Sequence, residues 1–211
     1  MNLAELRREY TKGGLRRADL EPNPIVQFQK WLEQALNVHL EPSAMTLATA
    51  DKDGRPSARV VLLKGVSETG FTFFTNYESW KGRELAENPR AALALYWPEM
   101  ERQICIAGDV TKTSRAESEK YFAMRPRGAQ LGAWASKQSS AVPDRAFLEG
   151  RLAEAEKQFA SRDVETPPHW GGYILAPRRI EFWQGRENRL HDRFEYKKQA
   201  NGAWEIQRLS P

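Results

Sequence analysis

A chain of 211 residues, 40 % of them apolar and 28 % charged, has the hydrophobic mass to bury a core and is too rich in it to be disordered. Its single cysteine, Cys105, excludes an internal disulfide and a thiolate metal cluster, and His39, His169 and His191 are too scattered for a zinc pattern. A net charge of +4 favours anionic partners. Yet no Lys/Arg block, zinc-finger spacing or RNP-like aromatic run argues for nucleic acid, and no apolar run approaches the ~20 residues of a membrane span.

In chain order, the charged N-terminus lacks the apolar stretch of a signal peptide, so a cytoplasmic protein is expected. Residues 1–22 read as a mobile arm, with a short helix over Leu3–Tyr10 broken at Gly13-Gly14. Asn23-Pro24 opens the first firm helix as N-cap and first-turn proline. Its apolar stripe is Ile25, Phe28, Trp31, Leu32, Ala35 and Leu36, and His39 follows as a partner for the helix dipole. From Ala44 the period is that of strands: Ala44–Ala50, a turn at Asp51–Gly54, Pro56–Val66, then Gly70–Asn76. A short helix Ser79–Ala86 ends before Pro89, and strands Ala91–Trp97 and Gln103–Lys112 come next. Ser114-Arg-Ala-Glu117 is a capping box for a helix holding Tyr121 and Phe122. Arg125–Gly128 breaks that helix, Gln130–Ala135 adds a turn or two, and Asp144–Phe159 reads as an amphipathic helix. Gly171–Trp183 returns to strand, and Phe194–Tyr196 with Ala203–Gln207 forms a hairpin over Asn201-Gly202, a type I′ signal. Closely spaced strands with few helices between them predict one mainly β domain over 1–211, an antiparallel barrel with helices outside.

Three stretches carry candidate chemistry. Arg59-Val-Val-Leu-Leu-Lys64 brackets an apolar run with two cations. Five residues apart, they face opposite ways in a regular strand, so either a bulge brings them round or they serve opposite sides. Phe73-Phe-Thr-Asn76 leading to Ser79-Trp-Lys-Gly82 runs from strand into helix, and a helix start with Lys81 beside it suits a phosphate. In 180–193, Arg189, His191 and Arg193 would line one face of an extended chain. They face either an anionic ligand, whose oxygens match arginine forks, or neighbouring carboxylates at Glu187, Asp192 or Glu195.

Glu181-Phe-Trp-Gln-Gly followed by Asn188-Arg-Leu-His-Asp-Arg193 closely resembles the C-terminal signature of pyridoxamine 5′-phosphate oxidases. Further matches run in family order along nearly the whole chain: Arg7-Arg-Glu-Tyr10, Arg102-Gln103, Tyr121-Phe-x-x-Arg125-Pro, Ser136-Lys-Gln-Ser-Ser140 and Trp170-Gly-Gly172. The resemblance implies an FMN-binding split antiparallel β-barrel. The enzyme would oxidise pyridoxine or pyridoxamine 5′-phosphate to pyridoxal 5′-phosphate with O2 as acceptor, as a homodimer holding FMN between its subunits. It implies FMN contacts at Arg59, Lys64, Phe74, Thr75, Lys81, Gln103, Gln138, Ser139, Trp183 and Arg193. Substrate contacts would be Lys64, Tyr121, Arg125, Arg189 and His191, the last two at the reacting carbon, with Arg7 and Tyr10 closing over the ligand. Two positions depart from the family pattern: Trp80 stands where Arg is usual, and Ala129 where Ser is usual. A split-barrel flavoprotein with another substrate, such as a flavin reductase, or a colourless, non-enzymatic binder of nucleic acid or phosphorylated ligands, are the rival expectations.

Overall fold

The structure, a computed structural model, describes residues 2–5 and 9–211. Among these, nine strands form one antiparallel sheet: β1 Ala44–Ala50, β2 Pro56–Leu62, β3 Gly65–Ser67, β4 Gly70–Asn76, β5 Arg90–Trp97, β6 Arg102–Lys112, β7 Trp170–Gln184, β8 Asp192–Lys198 and β9 Trp204–Leu209. The main path runs β2-β1-β5-β6-β7-β4-β3, and β8 pairs with β7 and then with β9. The helices are α1 Pro24–Leu36, α2 Trp80–Glu87, α3 Arg115–Ala123, α4 Arg127–Ala135 and α5 Arg145–Gln158.

The sheet curls because its two end strands are almost continuous in sequence. Pro56–Val66, expected as one strand, is two. β2 pairs with β1, β3 pairs with β4, and Leu63-Lys64 steps between them, Leu63 N–H donating to Ser43 O and Lys64 N–H to Thr72 O at 2.8 Å each. Switching partners mid-run joins the two ends of the sheet into a split barrel. The apolar stripe of α1 packs on this core, with Phe28 edge-on to Phe71 at 4.8 Å and Trp31 edge-on to Phe182 at 5.1 Å between ring centroids. Asn23 caps the helix by accepting from Ile25 N–H. His39 lies 2.6 Å from Glu99, so its partner is a carboxylate and not only the helix dipole.

A second, smaller core gathers α3, α4 and α5 over the start of β7 through Phe122, Leu131, Ala155, Phe159, Val164 and Trp170. Here α5 departs from the expected amphipathic helix. Only its C-terminal half packs, through Leu152 and Ala155, while Phe147 and Leu148 remain 47 % and 37 % exposed. The turn at Asn201-Gly202 is also not type I′. Gly202 alone of the pair has positive φ, at 86°, and Gln199 and Ala203 close a three-residue loop. The Asn201 side chain accepts from Ala203 N–H at 3.0 Å, which holds Asn201 out of the left-handed region that type I′ requires.

Gly70 opens β4 at φ 143°, where a Cβ would lie 2.0 Å from the Leu175 carbonyl oxygen. Gly202 also has positive φ but faces open space. Gly70→Ala should therefore lose about 1–3 kcal/mol through backbone strain and displacement of β7, and Gly202→Ala clearly less. Urea denaturation midpoints of the two variants check this; equal losses would show that β4 and β7 part without cost.

Candidate active site

β7 is the spine of the site. It runs 15 residues, pairs along its length with β6, and takes β4 against its first half and β8 against its second. The residues expected at the site fall into two groups near its two ends.

The first group lines an open cleft of about 670 Å³, whose walls include Lys64, Thr75, Lys81, Tyr121, Arg125 and Gln138. Phe74 and Tyr121 stack at 4.1 Å between ring centroids, and Trp170 lies parallel to both. The Arg125 guanidinium sits 4.8 Å over the Trp170 ring. Arg125 Nη1 is buried and, among the described residues, has no hydrogen-bond partner. Burial also lowers the Arg125 pKa, so a bound anion would stabilise this cation. Lys81 donates to Thr75 Oγ1 at 3.3 Å, Ser79 Oγ at 3.4 Å and Gln138 Oε1 at 3.3 Å, all neutral oxygens. Burial, and then the charge of Arg59, push its pKa down. A guanidinium with a buried, unpartnered Nη1 and a buried ammonium hydrogen-bonded only to neutral groups are a donor set that fits a phosphate. Ser139 lies on the same loop as Gln138 with φ 70°, and Ala129 lines the cleft where a hydroxyl is usual. Trp80, first residue of α2, is 60 % exposed and lies off the cleft's lining.

Lys64 lines the cleft because the step between β2 and β3 frees it from strand alternation, whereas Arg59 is not among the lining residues. Arg59 stays behind, on β2, in a network with Thr49, Ser57 and Glu84.

The second group sits where β7 meets β8. Trp183 pairs with Gln103 on one side and Arg193 on the other. Its ring lies 4.7 Å from His191 and 5.6 Å from Tyr10, and Arg189 lies 5.9 Å over the Tyr10 ring. The expectation that Arg189, His191 and Arg193 share one extended face fails. Glu187–Arg189 is a 3₁₀ turn in which Asn188 and Arg189 take φ 55° and 63°, and β8 begins only at Asp192. Left-handed backbone turns Arg189 toward Tyr10 instead of along a strand. Arg193 is paired by Glu181, at 2.7 and 3.1 Å, a diagonal cross-strand partner that the carboxylates nearer in sequence had obscured. Glu181 and Glu84 are the two site-flanking residues that motif reading passed over. The signals were Glu181 two before Trp183 on one strand face, and Glu84 one helical turn after Lys81.

The arm crosses this second group. Asn188 N–H donates to Glu9, Lys12 N–H to Glu101, Arg186 to Gly13 O and Leu15 N–H to Asp192, the last at 3.0 Å. Tyr10 thereby packs flat against Gly185, where a Cβ would lie 2.7 Å from its ring. Arg7 lies outside the described residues. The Phe74–Gly172 pairing and Trp183 mark the two groups along β7, a separation of up to roughly 35 Å of extended strand.

Comparison with known proteins follows the same division. A family described as pyridoxamine 5′-phosphate oxidase matches residues 30–159, and one described as the pyridoxine 5′-phosphate oxidase C-terminal dimerisation region matches residues 170–211. The pyridoxine/pyridoxamine 5′-phosphate oxidase 1 of Ralstonia nicotianae is 55 % identical over 211 residues, covering 100 % of this chain and 99 % of the relative. The oxidase of Rubrobacter xylanophilus is 57 % identical, covering 100 % and 97 %. Among solved structures, PhzG from Burkholderia lata 383 in complex with tetrahydrophenazine-1-carboxylic acid superposes with a TM-score of 0.87 at 35 % identity, covering 92 % of this chain and 95 % of that one. A pyridoxamine 5′-phosphate oxidase-related, FMN binding protein from Nostoc punctiforme PCC 73102 shares the fold with a TM-score of 0.71 at 18 % identity, covering 91 % and 100 %.

His191 offers a direct check on the second group. Its Nδ1 accepts from Arg186 N–H at 3.1 Å, which leaves the neutral ring's proton on Nε2. Burial first, then Arg189 and Arg193, lower its pKa, against a smaller rise from Glu9. A depressed histidine pKa means the unfolded state binds the proton first, so the associated stability is present above about pH 6.5 and is lost as pH falls toward the folded value. In an NMR titration the His191 ring should titrate below 6.5, and Arg189→Ala should move it upward. Titration above 6.5 in the unsubstituted protein would contradict this geometry.

Proposed function

The chain belongs to the pyridoxamine 5′-phosphate oxidase family, and from that premise we propose that it oxidises pyridoxamine and pyridoxine 5′-phosphates to pyridoxal 5′-phosphate with FMN as cofactor and O2 as final acceptor. Hydrogen peroxide is released, and ammonia as well when the substrate is the amine. The observation that carries the reading is the phosphate-ready cleft, with Arg125 Nη1 buried and unpartnered and Lys81 buried among neutral oxygens. When bound, FMN supplies the hydride acceptor that no side chain can be.

The chain's own residues bind and orient. Lys64, Tyr121 and Arg125 hold the substrate phosphate, three groups converging on one side of the cleft. Arg59, Phe74, Thr75, Lys81, Gln138 and Ser139 hold FMN from the cleft side; Gln103, Trp183 and Arg193 hold it from the other. Arg189 and His191 set the substrate ring, His191 as a neutral group donating at Nε2. Tyr10, with Arg7, covers the ligand and keeps water out.

These two sets lie too far apart along β7 for one chain to close a single site. The segment matching the dimerisation region, 170–211, is also the one that carries Trp183, Arg189, His191 and Arg193. The cleft's rim exposes apolar β2 residues, Val60 at 66 % and Leu62 at 38 %. A homodimer in which each cleft is completed by the second group of the partner copy explains all three observations. The whole chain then acts as one FMN-binding split-barrel unit, in the cytoplasm, where its membrane-impermeant phosphorylated substrates are made.

The purified protein should be yellow and should form aldehyde from both phosphates; FMN binding without aldehyde would overturn the substrate while sparing the cofactor. Arg125→Ala and His191→Ala should each cut kcat/KM roughly 10- to 150-fold, the worth of a hydrogen bond to a charged group. If sites are shared, unfolding and refolding the two variants together should restore about a quarter of wild-type activity, since half the dimers are mixed and each mixed dimer has one intact site. No recovery would mean that each chain holds a complete site of its own.

A further inference from the structure

Arg59 is assigned to the FMN phosphate, yet it lies off the cleft's lining, and what holds it there is Glu84. This carboxylate sits on α2, one turn after Lys81, and is only 5 % exposed. It accepts from Thr49 Oγ1 at 2.5 Å and from Ser57 Oγ at 2.6 and 2.8 Å. The same two hydroxyls accept from the Arg59 guanidinium, and Arg59 Nη2 is 3.4 Å from Glu84 itself. Cation, hydroxyls and anion form a closed loop with every hydroxyl both donating and accepting. Burial pushes the Glu84 pKa up, but Ser57, Thr49 and Arg59 outweigh it, so the carboxylate stays ionised. Lys81 feels both neighbours, lowered by Arg59 and raised by Glu84. Arg59 thus contacts this internal carboxylate directly, while Lys81, one turn before it on α2, makes its contacts to neutral oxygens and feels Glu84 only at longer range.

We propose that Glu84 is a resident stand-in for the cofactor phosphate, which keeps Arg59 and Lys81 neutralised in the apoprotein and competes with FMN for them. This rests on the assignment of the FMN phosphate to Arg59 and Lys81. The argument is one of linkage. A buried anion that stabilises the cations before the ligand arrives must lose part of that attraction, and also repel the phosphate, once the ligand is bound. A residue that merely oriented Arg59 for FMN would have the opposite sign: its removal would weaken binding.

Glu84→Gln keeps the shape and the hydroxyl contacts and removes the charge. The apoprotein should melt at lower temperature, because Arg59 and Lys81 then repel unscreened. FMN should bind roughly 5- to 30-fold tighter, the range for one charge removed several ångströms away in a partly buried setting. Riboflavin, which lacks the phosphate, should bind with unchanged affinity. Fluorescence titration of apoprotein with both flavins, and melting curves without them, read all three. Unchanged or weaker FMN binding in Glu84→Gln overturns the proposal. If instead the wild-type apoprotein fails to prefer FMN over riboflavin, it is the phosphate assignment that falls. Should Glu84→Gln yield no folded apoprotein, Arg59→Gln/Glu84→Gln takes its place: removing both charges should restore melting above that of Arg59→Gln alone, and a double variant no more stable than that single one counts against the pairing.

Discussion

Antiparallel pairing of β7 with β6 over nearly its whole length is the constraint from which the rest follows. A strand of 15 residues is far longer than the usual five or six, and it carries different neighbours on either side of a register shift at Arg178. β4 brings Phe74 and Thr75 to one half, and the α3–α5 core settles there against Trp170. β8 brings Arg193 to the other. The length that lets one strand organise two clusters also keeps them apart. The proposed sharing of the site between copies would thus follow from strand length before any particular interface contact.

Charge is managed differently in the two clusters, and the difference follows from burial. At the β7–β8 end, Arg193 lies against Glu181 in a bidentate pair, and Asp192 takes Leu15 N–H together with the guanidinium of Arg208. Burial raises the Asp192 pKa, and those two donors bring it back below its ordinary value. Arg193 and Arg208 already have carboxylate partners here, while Arg189 rests on the Tyr10 ring. In the cleft, Lys81 and Arg125 have neutral or aromatic neighbours and little else. Desolvated cations without contacting carboxylates are costly, and a site retains them where a ligand offsets that cost. This asymmetry is what favours the cleft as the proposed anion-binding half.

Much of the architecture was legible because local signals agreed with one another. Asn23-Pro24 begins α1, Ser114–Glu117 caps α3, and the strands Ala44–Ala50, Gly70–Asn76, 91–97 and 103–112 stand where alternation put them. The matched motifs then led to Thr75, Lys81, Tyr121, Arg125 and Gln138, which the fold does gather in one cleft. Most of what could not be read was set by partners distant in sequence; the turn at Asn201-Gly202, set by the Asn201 side chain on Ala203 N–H, is a local exception. The step at Leu63-Lys64 exists because β2 and β3 answer to different strands. The exposure of Phe147 and Leu148 arises because only half of α5 meets the rest of the chain. The pairing of Arg193 with Glu181 depends on a cross-strand register that no local spacing reveals.

The same reasoning explains why the turn before β8 is left-handed. A regular strand from Gln184 through Arg193 would place Arg189 and His191 on the face that Trp183 and Arg193 share, crowding guanidiniums that have one buried carboxylate, Glu181, between them. Turning the chain at Asn188 and Arg189 separates these cations, sends Arg189 over the Tyr10 ring, and leaves His191 packed on Trp183. Non-glycine residues with positive φ cost free energy, and here the arm opposes that cost: Asn188 N–H reaches Glu9, and Arg186 holds Gly13 O. The strained turn and the docked arm therefore support each other. Displacing the arm would remove the Tyr10 ring from under Arg189 and uncover Trp183 and His191 together, so arm and turn act as one structural unit.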